Sequence, residues 1–139
     1  MADDELTVLV YSDDRNTREQ VRMALGRRPA ADLPPVQFVD VATDWAVMDR
    51  LSQGDIDLAI LDGEAVPAGG LGVCRTIKQE VFQSPPVLLL VARAQDGWLA
   101  SWSRADGVVS HPLDPITTAA AAAQLLRSRV SAGDVATSS

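Results

Sequence analysis

The sequence predicts an α/β protein with a doubly wound, five-stranded parallel sheet and helices on both faces. Five short apolar, branched segments alternate with stretches of helical periodicity along the 139 residues. One of them, VLLLV at 87–91, has no polar residue, as expected of a parallel strand buried on both faces. Apolar residues make up 47% of the chain and aromatic ones only 4%, so the core must be mostly aliphatic. A chain of this length forms one domain and buries roughly two-thirds of its unfolded surface.

Leu6 to Tyr11 (LTVLVY) is the first strand, broken by Ser12, Asp13 and Asp14. Asn16 or Thr17 caps the next helix, which turns Val21, Ala24 and Leu25 inward and ends near Gly26. Pro29 to Pro35 is a loop. Val36 to Val41 (VQFVDV) partly alternates, which suits a strand with one more exposed face. Thr43 or Asp44 starts a second helix with Trp45, Met48 and Leu51 as its inner stripe, closing at Gly54.

Ile56 to Leu61 is apolar except for Asp57, too short for a typical helix, and reads as the central strand. It ends on Asp62, followed by Gly63 and a loop holding Pro67, Gly69 and Gly70. A helix from about Gly70 uses Val73, Cys74, Ile77 and Val81, and Pro85 and Pro86 lie beyond it. After the Val87–Val91 strand comes a short helical segment, Gly97 to Ala105, with Trp98 and Trp102 on one face. Gly107 to Ser110 is the last strand, ended by His111-Pro112. Asp114 caps a final helix with Pro115 at its first position. That helix runs to about Val130, packed through Ile116, Ala119, Ala123 and Leu126. Residues 1–5 and 131–139 are expected to be flexible ends around a domain spanning 6–130.

A formal net charge of -7 argues against nucleic acid as the main partner, because phosphate binding needs a concentrated basic surface. Arg22, Arg27 and Arg28, and Arg127 with Arg129, read as solvated helix faces. A single cysteine, Cys74, excludes an intrachain disulfide, fits a reducing compartment and reads as a small buried hydrophobe. The amino end lacks the basic and apolar regions of a secretory signal, and no apolar run is long enough to span a bilayer. The expectation is a cytoplasmic protein. No G-x-G-x-x-G follows the first strand, which argues against a dinucleotide enzyme.

In open α/β sheets, ligands collect at the carboxyl ends of the strands. If the strand order is the flavodoxin-like 2-1-3-4-5, the first and third strands end side by side, with Asp13 next to Asp62. Two converging carboxylates need a cation. Magnesium commonly takes one or two of them and keeps several waters. Asp62 could then act as nucleophile toward a phosphoryl group. The competing reading is that Asp13 and Asp14 belong to an exposed turn and Asp62 merely ends a strand.

From Leu6 to Val130 the chain resembles the CheY-like receiver domain of bacterial two-component response regulators. The similarity rests on the acidic turn followed by TREQVRMAL, on DLAILD with GGLGVCRTIK, on PPVLLLVARAQD and on ADGVVSHPLDP. It implies a magnesium-dependent domain that takes a phosphoryl group from a histidine kinase onto an aspartate and signals through a surface. Asp62 would be the phosphoacceptor and Asp13 the direct metal ligand, with the Glu64 backbone carbonyl also on the metal. Gly70 and Leu71 match the entry to the third helix. The His111-Pro112 bond resembles a linkage that is often cis in the family.

The chain also departs from the pattern. Ser12 stands where the first acid of the pair is usual, and Asp14 could replace it only after a backbone shift. Pro67 falls one place late. Val91 replaces the hydroxyl residue that reports phosphorylation. His111 replaces the lysine that pairs with the phosphoryl group, as a shorter and weaker cation. Val108 replaces the switch aromatic, and the fourth helix is trimmed by about two residues relative to the family.

Three functions compete. The first is a stand-alone receiver in a phosphorelay, phosphorylated on Asp62 by a histidine kinase or another signalling protein and acting on a separate output protein. The second is a phosphorylation-independent binding or scaffold module. Trp98 and Trp102 are then either partner anchors or the core face of a short helix. The resemblance also leaves open a homodimer through the fourth helix, fifth strand and fifth helix. The third, a small phosphatase, lacks an apparent general acid near Asp62. At most, autocatalytic phosphoryl transfer to Asp62 is expected, without turnover.

Overall fold

The computed structural model describes residues 5–64, 69–81 and 84–138. In chain order it contains β1 (Leu6–Tyr11), α1 (Arg15–Leu25), β2 (Val36–Val41), α2 (Asp44–Ser52), β3 (Leu58–Asp62) and α3 (Gly70–Glu80). These are followed by β4 (Val87–Val91), α4 (Trp98–Ser103), β5 (Gly107–Ser110) and α5 (Pro115–Ser138). The strands form one parallel sheet in the order β2-β1-β3-β4-β5, the flavodoxin-like arrangement.

Period-two alternation splits the core between the two faces of the sheet. Val8, Val10, Leu58, Ile60, Leu88 and Leu90 pack with Val21 and Leu25 of α1 and with Ala122, Ala123 and Leu126 of α5. Leu9, Tyr11, Ala59, Leu61, Leu89 and Val91 pack with Val47 and Leu51 of α2 and with Val73, Cys74 and Ile77 of α3. β1, β3 and β4 lie inside the sheet and are buried along their whole length, whereas the edge strand β2 alternates with exposed positions. Cys74 is buried, as expected, and burial raises its thiol pKa.

Asp57, the polar residue in the central apolar run, explains why β3 begins at Leu58. Its N–H donates to the Thr7 carbonyl at 2.8 Å, and its carboxylate accepts the Thr7 N–H at 2.8 Å. This pair starts the β1–β3 register in place of a regular ladder.

Four expectations change. The cap of α1 is Asp14, whose Oδ1 accepts the Asn16 N–H at 2.9 Å, rather than Asn16 or Thr17. Trp45 is 73% exposed, because α2 buries Val47 and Leu51, and Trp45 lies about 200° of helical rotation from Val47. Ile116 is 81% exposed for the same reason, since α5 buries Thr118, Ala122 and Leu126. Finally, α5 continues to Ser138 rather than Val130, with no proline in 131–138 to stop it. Residues 1–4 and 139, like Pro67, lie outside the described residues. Among the described residues, no helix is long and apolar enough to cross a membrane.

Candidate functional site

The parallel register brings the carboxyl ends of β1 and β3 together. Tyr11 pairs with Leu61, so Ser12 and Asp62 are the next residues along their strands. On the other side Asp62 pairs with Leu90, and the Gly63 N–H donates to the Leu90 carbonyl at 2.8 Å. Asp62 is therefore fixed on both sides by sheet hydrogen bonding, and its side chain is only 4% exposed.

Each Asp62 oxygen accepts a hydrogen bond. The Ser12 hydroxyl, itself fully buried, donates to Oδ2 at 2.7 Å, and the Glu64 N–H donates to Oδ1 at 2.9 Å. Ser12 Oγ in turn accepts the Asp14 N–H at 3.0 Å, and the Ser12 carbonyl accepts from Arg18 Nη1 at 2.6 Å. A buried carboxylate without such donors would carry a large desolvation cost, and hydrogen bonds to an ionised group offset it by about 1.5–3 kcal/mol each.

Asp13, the residue after Ser12, is exposed. Tyr11, the fully buried last residue of β1, has its hydroxyl pKa raised, first by burial and then by the negative charges of Asp44, Asp13 and Asp62. Asp14 faces elsewhere, with Oδ1 capping α1 and Oδ2 3.4 Å from the Thr17 hydroxyl.

The remaining expected site residues lie along β4 and β5. Val91 is buried at the end of β4, and its carbonyl accepts the His111 N–H at 2.9 Å. His111 is half-buried and joined to Pro112 by a cis peptide bond. Val108 is 37% exposed on β5. Trp98 and Trp102 of α4 are exposed at 66% and 49%, so neither forms the core face of that helix. The Arg75 guanidinium lies 4.7 Å from the Trp102 ring centroid and donates to the Trp102 carbonyl at 3.1 Å.

Sequence reasoning treats Ser12 only as a missing charge and overlooks Tyr11. The available signals were the Ser-x-Asp spacing, which favours a hydroxyl-to-backbone turn, and one tyrosine in an aliphatic strand.

The side chains that could offer a magnesium ion charge are two carboxylates, Asp13 and Asp62. Among the described residues no group of three or more His, Cys, Asp or Glu side chains gathers to hold a metal. The residues therefore fit a firmly held magnesium ion poorly, because Ser12 supplies a neutral donor where a third acid would add charge.

No protein-family model matches the chain. It is 51% identical over 122 residues to uncharacterized response regulatory proteins from two strains of Mycobacterium tuberculosis, over 88% of this chain and 92% of each relative. The signal receiver domain of an HD domain-containing protein from Pseudomonas fluorescens superposes with a TM-score of 0.78 at 16% identity, covering 94% of this chain and 93% of that one. The chemotaxis response regulator CheY4 of Vibrio cholerae gives 0.69 at 17% identity, covering 88% and 98%. The solved structures share the fold, and the half-identical relatives extend the likeness to sequence over nearly the whole length. The chain belongs to the receiver-domain family of response regulators.

Proposed function

We propose that this receiver domain accepts a phosphoryl group from a histidine kinase on Asp62 and signals through contacts with a separate output protein. The observation that carries this reading is the placement of Asp62. It ends the central strand, level with the end of β1, with its carboxylate held by the Ser12 hydroxyl and the Glu64 N–H.

In the step, an Asp62 oxygen attacks phosphorus, and the bond from phosphorus to the donor imidazole breaks. The imidazole leaves with the electron pair and takes a proton from water. The Glu64 N–H and the Ser12 hydroxyl hold the carboxylate in place, which lowers the orientational cost of the attack. His111, at the end of β5, is the nearest counterpart to a phosphoryl-pairing cation. Magnesium would supply charge neutralisation on the transferring oxygens. Asp13, Asp62 and the Glu64 carbonyl are the groups it would meet, and they fit it poorly.

Intact mass after treatment with acetyl phosphate tests the reading. One added phosphoryl group is expected, removed by hydroxylamine and absent in Asp62→Ala. An unchanged mass in the wild type, or the same added mass in Asp62→Ala, would refute it.

A second reading draws on Val91, whose buried side chain cannot hydrogen-bond a phosphoryl oxygen, and on Val108, which has no aromatic swing. In this reading the fold binds its partner through the α4–β5–α5 face, or pairs with a second copy there, independently of phosphorylation. The exposed Trp98 and Trp102 supply anchors of the type found at interface hot spots. Equal partner capture by wild type and Asp62→Ala, with loss in Trp98→Ala, is the outcome that favours this reading over the first.

A further inference from the structure

Ser12 is tied down on every side. The Asp14 N–H occupies one lone pair of Oγ at 3.0 Å, so the hydroxyl proton is directed at Asp62 Oδ2, 2.7 Å away. The Ser12 carbonyl is held by Arg18 at 2.6 Å, which pins the backbone that carries the hydroxyl. Glu64 completes the arrangement by donating to Oδ1 at 2.9 Å.

A carboxylate in place of Ser12 would face Asp62 at about hydrogen-bonding distance, and two acids that close cannot both stay ionised without a cation or a proton between them. A hydroxyl reverses the sign of that contact. It attracts Asp62, orients it and needs no counter-ion. We infer that Ser12 is a positioning residue that orients Asp62 in place of a divalent cation, so that phosphoryl acceptance by this chain depends only weakly on magnesium. The inference rests on Asp62 being the phosphoacceptor. During transfer Ser12 keeps its proton, while the bond from phosphorus to Asp62 forms and the bond to the donor breaks.

The test compares wild type, Ser12→Ala, Ser12→Thr and Ser12→Asp for the initial rate of phosphorylation by acetyl phosphate. Each is measured by intact mass with magnesium and with EDTA, and magnesium affinity is measured separately by calorimetry. Wild type should lose less than about threefold on chelation. Ser12→Ala should be slower by about tenfold in both conditions, the loss of one hydrogen bond to a charged group, and Ser12→Thr should recover most of it. Ser12→Asp should bind magnesium about tenfold more tightly than wild type and lose more than about tenfold in rate on chelation.

A merely structural serine would lower the stability of Ser12→Ala while leaving its rate, with magnesium and with EDTA, near that of wild type. Mass gained by wild type only with magnesium, or equal magnesium affinity in wild type and Ser12→Asp, overturns the inference while leaving Asp62 as phosphoacceptor. No added mass in any variant removes the phosphoacceptor reading and this inference with it.

Discussion

The Ser12 hydroxyl and the Asp62 carboxylate meet at 2.7 Å although they lie 50 residues apart in the chain, and both are buried. The contact exists because β1 and β3 pair in parallel and end level with one another. It leaves the candidate site organised before anything binds, with its acid already hydrogen-bonded.

Asp14 follows Asp13 directly and yet serves the helix. Replacing it with alanine removes the α1 cap and should cost about 1 kcal/mol in urea denaturation, as N-cap deletions do. Because its oxygens face Asn16 and Thr17, phosphorylation of Asp62 should keep at least half its rate. A much larger loss of rate than of stability would place Asp14 in the pocket.

The phase of α5 can be checked by a pair of truncations. Leu126 is fully buried against the sheet, so Leu126→Ala should destabilise by about 2–5 kcal/mol. Ile116 is exposed, and Ile116→Ala should stay within about 0.5 kcal/mol of wild type. Similar costs for the two would mean that the helix is rotated from the orientation described.

Acid should weaken the fold through identifiable carboxyls. Asp32 has its pKa lowered, chiefly by the hydrogen bond from Arg127, and Asp114 has its lowered first by the Thr117 N–H and then by the Thr117 side chain. In both cases the unfolded chain takes up the proton first as pH falls. Their stabilisation is therefore complete above the ordinary carboxylate range and lost as pH drops through the lowered native values. Both sites are exposed, so the effect is modest and salt-sensitive. An acid titration of the urea midpoint should be flatter in the Asp32→Asn, Asp114→Asn double variant, since asparagine still caps α5. An unchanged acid limb would assign the pH dependence to other groups.

The tryptophans of α4 should separate stability from recognition. Trp98→Ala is expected to shift unfolding by no more than about 0.5 kcal/mol. Trp102→Ala should cost about 0.5–1 kcal/mol more, because it also removes the Arg75 contact. Thermal and urea melts of the two single variants and Arg75→Ala would check this, and a cost at Trp98 of several kcal/mol would mark it as a core residue.

Much of this architecture was legible from the chain. VLLLV could only be a strand buried on both faces, Asp114-Pro115 announced the start of α5, and Asp62 stood out as the acid ending the central strand. The errors at Trp45 and Ile116 share a cause. Their size suggested the interior, but helical phase is set by what the neighbouring turns bury, and smaller residues two positions on face the sheet. At Ser12 the residue type announced only the loss of a charge.

Local pattern alone fixed which segments become strands and helices, because side-chain periodicity and caps act over a few residues. Tertiary structure decided what the buried serine does, since a hydroxyl's partner depends on which distant strand end is packed beside it. The same holds for the tryptophans, whose exposure depends on how much of α4 its neighbours cover. Contacts across 50 residues are written by the order in which the strands pair, and no local pattern encodes that order.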